Sequence, residues 1–171
     1  MMNEEIISLS EKLGAALLLR KATVTAAESC TGGGVASAIT AIAGSSQWFH
    51  CGYVTYANHS KHKMLGVPMA LLQIEGAVSE AVVRSMVEGA AQRAGADFAI
   101  AISGIAGPTG GSTDKPVGTV CFAWLSPQGV VSARHQLSGD RNAVREQSIK
   151  ISLQQLLHQV TECTTVHPYS K

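Results

Sequence analysis

Aromatic and charged side chains are scarce in this chain of 171 residues. Phe, Trp and Tyr make up 5% of the residues and charged residues 15%, with 13 Lys and Arg against 12 Asp and Glu. Binding to nucleic acid uses a surplus of basic residues or a platform of aromatic rings. The formal net charge of +1 and the few rings supply neither. We therefore expect no nucleic acid among the partners.

Long apolar runs and a secretion signal are also missing from the sequence. No stretch reaches the roughly 18 apolar residues that a membrane-spanning helix needs. The acidic start, Met-Met-Asn-Glu-Glu, differs from the basic and then apolar layout of a signal peptide. These features predict a cytoplasmic protein with no membrane partner.

The few cysteines give no metal or redox signature. Their spacing matches no zinc-binding or C-x-x-C pattern. His59 and His62 lie three residues apart on one predicted helix, but no third ligand is evident beside them. We expect free thiols in a reducing compartment, no metal site and no cofactor. The four positions are Cys30, Cys51, Cys121 and Cys163.

Hydrophobic residues make up 46% of the chain, and their spacing shows both helices and strands. Helical spacing from Ile6 to Leu17 follows Asn3, a residue type that caps helices. A nearly continuous apolar run at 97–103 is typical of a central strand covered on both faces. The patterns predict one α/β domain over 1–171, a three-layer α/β/α sandwich with a mixed sheet. Its tail, from about residue 162, is expected to be frayed.

The remaining segments fill in this architecture. A second strand is expected at 48–56, followed by a short helix for which Asn58 is the predicted N-cap. Ser79 and Asp140 are the predicted N-caps of two longer helices. Two strands joined by a turn at 126–129 are expected to form a hairpin.

A glycine turn after the first strand is the strongest local signal for a site. The sequence AESCTGG at 27–33 places Ser29 and Thr31 where a strand passes into a helix. The N–H groups that a helix start leaves unpaired can stabilise an oxyanion or bind a phosphate. The spacing alone equally allows either hydroxyl to act only as a helix cap. The turn matches neither a Walker loop nor a G-x-S-x-G elbow.

Three further residues around this turn are candidates for nucleophile and base. Lys61 lies in the first turn of the predicted short helix, next to Tyr56 at the end of a strand. The positive helix end and partial burial would lower the pKa of such a lysine, and a neutral amine can take a proton from serine. An exposed lysine is the alternative. Cys30 is a rival nucleophile because a helix N-terminus lowers a thiol pKa, or else it is a packed core thiol.

The glycine-rich loop at 104–116, which follows the central strand, is a candidate wall of the pocket. It leaves the strand at its carboxyl end, the edge where open α/β sheets bind ligands, and its length is typical of functional loops. Arg141 and Arg145 lie four residues apart at the start of the last helix. Their guanidinium groups can hold an anion through forked hydrogen bonds. Pairing with neighbouring carboxylates is the alternative.

Several sequence stretches, in chain order, together resemble one protein family. They are AESCTGG at 27–33, GSS at 44–46, VTYANHSK at 54–61, GAVSE at 76–80, SGIAGPTGG at 103–111, KPVGTV at 115–120 and GDRNAVR at 139–145. On these motifs the chain resembles the CinA C-terminal domain family, whose stand-alone members include nicotinamide-nucleotide amidohydrolases. The resemblance covers most of the chain.

The resemblance implies hydrolysis of the carboxamide of nicotinamide mononucleotide (NMN) to nicotinate mononucleotide and ammonia, a step of pyridine nucleotide salvage. It implies a Ser/Lys mechanism without a metal, with Ser29 as nucleophile, Lys61 as general base and Tyr56 as the hydroxyl that supports the pair. It also implies a homo-oligomer. The expected substrate-binding residues are Thr31, Gly32, Gly33, Ser103, Gly104, Gly107, Arg141 and Arg145.

Two other functions stay open at this level. Some relatives of this domain are thought to keep the fold without deamidase activity, which makes a catalytically silent nucleotide-binding or regulatory module the first alternative. A hydrolase that uses Cys30 as its nucleophile on another amide is the second.

Overall fold

The apolar strand segments assemble into one mixed sheet in the computed structural model, which describes residues 3–163. The five strands run in the order β2-β1-β3-β4-β5. β1 pairs in parallel with β2 and β3, whereas β4 is antiparallel to both β3 and β5. The strands are β1 (Val24–Glu28), β2 (Phe49–Val54), β3 (Phe98–Gly104), β4 (Thr119–Ser126) and β5 (Gly129–Gln136).

Helices cover both faces of this sheet and bury an apolar core on each side. α1, α2 and α6 pack together on one face, and α5 covers the other with α3 and α4 beside it. The predicted three-layer sandwich with a mixed sheet is therefore confirmed. The helices are α1 (Glu4–Arg20), α2 (Gly34–Thr40), α3 (Asn58–Leu65), α4 (Met69–Glu75), α5 (Glu80–Ala94) and α6 (Arg141–Glu162).

Alternation along the central strands decides which side chains enter which core. In β3, Ile100 and Ile102 belong to the core under α1 and α6, while Ala99 and Ala101 belong to the core under α5. The first six residues of β3 are all buried, as its continuous apolar run predicts. The small side chains on the α5 face let that helix approach the sheet closely.

Three of the four predicted helix caps are present, and one is wrong. Asn3, Ser79 and Asp140 each accept a hydrogen bond from a main-chain N–H in the first turn of their helix. Asn58, however, is the first residue of α3, and no side chain caps this helix. Ala57 is the N-cap, because its carbonyl accepts the first helical hydrogen bond, 3.1 Å from Lys61 N.

A glycine on α5 allows α3 to pack against it. A Cβ atom at Gly89 would overlap the main-chain carbonyl of Leu65, the last residue of α3. The same carbonyl accepts a hydrogen bond of 3.0 Å from the guanidinium of Arg93 on α5. The carboxyl end of α3 is thus fixed to α5, and this contact sets the position of Lys61 one turn earlier.

Only Glu162 and Cys163 of the tail that is expected to be frayed lie within the described residues. Glu162 is the last residue of α6 and Cys163 is buried. The rest of the expected tail lies outside the described residues. Within 3–163, no helix has the length and apolar character required to cross a membrane.

Candidate active site

A cavity of about 260 Å³ opens at the carboxyl ends of the parallel strands β1 and β3. This is the edge at which open α/β sheets bind ligands, and the loop after β3 forms one wall, as the sequence predicts. The cavity is lined by Ser29, Cys30, Tyr56 and Lys61, by residues 77–78 and 103–107, and by Thr109, Gly110 and Arg141.

Lys61 and Ser29 are in direct contact inside this cavity. Lys61 Nζ lies 2.9 Å from Ser29 Oγ and also donates to the main-chain carbonyls of Thr55 at 2.7 Å and Tyr56 at 3.3 Å. The lysine side chain is only 1% exposed, and within 3–163 no carboxylate lies within ion-pair distance of its Nζ. Burial without a counter-charge lowers the pKa of Lys61 to about 8. A substantial fraction of the amine is therefore neutral near physiological pH.

A buried carboxylate occupies the N-terminus of α2 beside this pair. Glu28, 1% exposed, accepts hydrogen bonds from the N–H groups of Gly33 at 3.0 Å, Val35 at 3.0 Å and Ala36 at 2.8 Å. The sequence suggested that these donors were free for an oxyanion or a phosphate, and this expectation is wrong. The helix start is already satisfied by an anion of the chain itself.

Two main-chain N–H groups of the glycine turn stay available. Ser29 N donates to Ile102 O at 3.0 Å and Gly32 N to Ser29 O at 3.0 Å. The N–H groups of Cys30 and Thr31 donate to no oxygen among residues 3–163. They directly follow the serine, and a donor there is suited to stabilise the carbonyl oxygen of a group that Ser29 Oγ attacks.

Cys30 is a packed thiol and not an activated one. Its side chain belongs to the core under α1 and α6, and burial raises its pKa to about 11. The negative charge of Glu28 acts in the same direction. The lowered pKa suggested by its position before a helix is therefore wrong, because burial outweighs the helix end.

Tyr56 and Arg141 form the mouth of the cavity. The tyrosine is 58% exposed, and its hydroxyl accepts a hydrogen bond of 2.8 Å from Arg141. A second nitrogen of the same guanidinium donates to the carbonyl of Gly107 at 2.9 Å, so that Arg141 ties the glycine-rich loop to Tyr56. Tyr56 contacts Lys61 through its main-chain carbonyl, whereas its hydroxyl points to Arg141.

Half of the predicted binding residues line the cavity, and the other half belong to the glycine turn or contact it. Ser103, Gly104, Gly107 and Arg141 line the cavity, but Thr31, Gly32, Gly33 and Arg145 do not. Arg145 donates to the carbonyl of Thr31 at 2.9 Å, and the buried Thr31 hydroxyl has no hydrogen-bond partner among residues 3–163. Thr31, Gly32 and Gly33 form the turn after Ser29, and Arg145 contacts this turn.

Sequence reasoning missed Glu28 and the segment 77–78. A charged residue at the end of an otherwise apolar strand was a usable signal, because a buried carboxylate requires several donors. Ala77 and Val78 give no such signal, because they contribute only apolar wall between α4 and α5.

Other features of the described residues carry no comparable chemistry. No group of three or more His, Cys, Asp or Glu side chains within 3–163 could hold a metal ion. A larger groove of about 660 Å³ runs between β5 and the second half of α6, and neither Ser29 nor Lys61 lines it.

Comparisons with known proteins agree with this fold. The family model described as CinA C-terminal domain matches residues 6–160. Nicotinamide-nucleotide amidohydrolase PncC of Escherichia coli (strain K12) is 53% identical over 165 residues, covering 96% of this chain and all of that protein. The protein of the same name from Pseudomonas putida is 53% identical over 159 residues, covering 93% of this chain and 99% of that one.

A solved structure shows the same architecture. The crystal structure of competence/damage inducible protein CihA from Agrobacterium tumefaciens superposes with a TM-score of 0.91 at 37% identity. The match covers 95% of this chain and 99% of that chain.

Proposed function

The chain belongs to the CinA C-terminal domain family, and from that premise we propose that it hydrolyses the carboxamide of NMN to nicotinate mononucleotide and ammonia. The observation that carries the proposal is the 2.9 Å contact between Lys61 Nζ and Ser29 Oγ in the cavity. The names of the relatives supply the substrate. The geometry supplies a nucleophile with a base beside it.

In the first step the neutral amine of Lys61 takes the proton of Ser29. The serine oxygen attacks the carboxamide carbon, and the carbonyl oxygen becomes an oxyanion. The free N–H groups of Cys30 and Thr31 are the donors that hold it, and such a donor contributes about 2.7–4 kcal/mol. The lowered pKa of Lys61 supports this step, because a lysine with its ordinary pKa is almost fully protonated at neutral pH.

In the second step the carbon–nitrogen bond breaks. Protonated Lys61 gives its proton to the leaving nitrogen, and ammonia departs from a Ser29 ester. Water then attacks the ester carbon after losing a proton to Lys61. The nicotinate carboxylate is released, and Ser29 recovers its proton. Two protonation states of one lysine therefore serve both halves of the reaction.

The mouth of the cavity is the place we propose for the ribose phosphate. Arg141 is a cation on the lining, and Gly107 and Gly110 contribute main chain beside it. The start of α2 is excluded, because Glu28 already fills it. Thr31, Gly32, Gly33 and Arg145 then act indirectly, by holding the turn that carries Ser29.

We extend the proposal to compartment and assembly. Cys30, Cys51 and Cys121 are free thiols, as expected in the reducing cytoplasm. Membership of the family supports a homo-oligomer, and the exposed side chains of Leu19 and Ile74 are candidates for burial in its interfaces. Molar mass in solution, compared with 17.8 kDa for one chain, tests the assembly.

The deciding experiment measures release of ammonia and nicotinate mononucleotide from NMN. Wild type is compared with Ser29→Ala, Lys61→Ala and the matched control Lys63→Ala, an exposed lysine on the same helix. We expect losses of at least about 1,000-fold for the first two variants, and near-normal activity for the control. A folded wild-type protein without turnover would contradict the proposal and favour a silent nucleotide-binding module.

A further inference from the structure

Ser103 lies beside Ser29 at the end of the sheet. β1 and β3 pair in parallel, with Ala27 opposite Ala101 and Glu28 opposite Ile102. Ser29 N continues this ladder by donating to Ile102 O at 3.0 Å. One further step along both segments brings the two serines together, at the strand spacing of about 4.8 Å.

Both serines belong to the face of the sheet from which Lys61 approaches. Side chains alternate along a strand, so Ser29 shares a face with Ala27, and Ser103 with Ala101. Those alanines pack in the core under α5. Because α3 packs on α5, Lys61 reaches the sheet from the same side.

The hydroxyl of Ser103 has no partner within the described chain. The residue is 1% exposed overall and lines the cavity, and its side chain makes no hydrogen bond to any residue in 3–163. A hydroxyl at a cavity wall can donate to or accept from a group that fills the cavity. Ala99 and Ala101 occupy the preceding positions of the same face, so the strand accepts alanine there. The Ser103 hydroxyl is therefore available for a hydrogen bond with a group that enters the cavity.

We propose that Ser103 Oγ accepts a hydrogen bond from the –NH₂ of the substrate carboxamide and thereby selects amides over esters. The inference rests on the proposed function. If the carbonyl oxygen lies against the N–H groups of Cys30 and Thr31, the amide nitrogen projects away from them, toward β3 and Lys61. When one N–H of the substrate donates to Ser103 Oγ, the nitrogen lone pair of the tetrahedral intermediate turns toward the proton on Lys61. An ester has no N–H for Ser103 to hold, so it gains nothing from this contact.

The test compares an amide with an ester of the same acid. We would measure kcat and KM for NMN and for the methyl ester of nicotinate mononucleotide, using wild type, Ser103→Ala and Ser103→Thr. For Ser103→Ala we expect kcat/KM for NMN to fall about 10- to 100-fold, mainly in kcat, and ester hydrolysis to change less than about threefold. Ser103→Thr keeps the hydroxyl and is expected to restore amide hydrolysis to within about fivefold.

The ester is also the control for folding and for the Ser29–Lys61 pair. An equal loss on both substrates, or no loss on NMN, would overturn the role of Ser103 and leave the proposed function intact. A wild-type protein that hydrolyses neither substrate would instead overturn the proposed function. A serine hydrolase that cleaves the amide also cleaves the ester, because an alkoxide leaves more readily than an amide nitrogen, so the comparison is available whenever NMN is turned over.

Discussion

Lys61 and Cys30 are neighbouring buried groups whose reactivities burial changes in opposite directions. Burial disfavours the charged form of each, so the pKa of Lys61 falls to about 8 and that of Cys30 rises to about 11. A larger fraction of the lysine is then the neutral amine, which can act as a base, and the thiol loses its nucleophilic thiolate form. One physical cause thus supports the proposal that Ser29, which contacts the lysine, is the reacting group.

The pH dependence of the reaction tests the role of Lys61. Because the base must be neutral, we expect kcat/KM for NMN to rise with pH along a limb of apparent pKa about 8. Initial rates between pH 6 and 9.5 define the limb, and Lys63→Ala should leave it in place. A flat profile across this range would show that another group takes the proton.

Replacing Cys30 separates packing from catalysis. We expect Cys30→Ala to keep NMN hydrolysis within about fivefold of wild type and to lower the free energy of unfolding by about 1 kcal/mol, because it removes only a buried thiol. Activity and urea unfolding of the same preparation provide both numbers. If Cys30→Ala were as inactive as Ser29→Ala, the cysteine would be the nucleophile.

At the scale of elements, the position of Lys61 depends on how closely α3 and α5 approach. Gly89 faces the Leu65 carbonyl, and Arg93 donates to the same oxygen at 3.0 Å. The contact fixes the carboxyl end of α3, and Lys61 lies one helical turn before it. Lys61 is therefore placed by the close approach of α3 to α5 and by the hydrogen bond from Arg93 to Leu65 O.

The substitution Gly89→Ala should disturb both folding and catalysis. Its Cβ would overlap the Leu65 carbonyl, so α3 must move. We expect a loss of about 1–3 kcal/mol in the free energy of unfolding and a fall in kcat of about tenfold or more as Lys61 leaves Ser29. Glu88→Ala, exposed on the same helix, is the matched control and should change neither quantity. Normal kcat in Gly89→Ala would show that α3 is positioned by other contacts.

The elements were more predictable than the contacts between them. Apolar runs and helical spacing located the strands and helices, because burial alternates with period 2 or 3.6. The prediction that Asn58 caps α3 is wrong because the helix begins one residue earlier, where the carbonyl of Ala57 accepts the first helical hydrogen bond. The roles of Ser29 and Lys61 came from a family resemblance. Glu28 was missed because its three N–H partners lie on the following helix.

At the scale of the whole molecule, the two helical layers contribute differently to the cavity. The α3–α5 layer supplies Lys61, and the sheet supplies Ser29 and Ser103. The opposite layer contributes Arg141 from the start of α6, which reaches over the end of the sheet to Tyr56 and Gly107. The sequence placed Arg141 at a helix start, but the meeting of the two layers at this mouth depends on the complete fold.

The burial of Lys61 should lower the free energy of unfolding of the protein at pH values where the free amine is protonated. Between pH 8 and 10.5 the unfolded chain binds more protons than the folded one, because the folded pKa is about 8 and the ordinary value 10.5. The stability of wild type relative to Lys61→Met should therefore rise with pH across this window and be lowest below pH 8. We expect a change on the order of 1–2 kcal/mol, allowing for water that enters the cavity.

Urea unfolding of wild type, Lys61→Met and Lys63→Met between pH 7 and 10.5 measures this effect. Only the buried position should give a pH-dependent difference, because Lys63 is exposed. A constant difference between wild type and Lys61→Met would mean that the amine keeps its ordinary pKa after folding.

The carboxylate that fills the start of α2 has a consequence for how new substrates could arise. With Glu28 on those N–H groups, the start of α2 behind Ser29 is closed to the phosphate end of the proposed substrate. In the proposed complex, contacts to that end then come from the glycine-rich loop and the first turn of α6. Mutations there can change which amide is accepted while the Ser29–Lys61 pair stays intact. Exchange of the glycine-rich loop should therefore change the range of substrates of this scaffold while the reaction itself is retained.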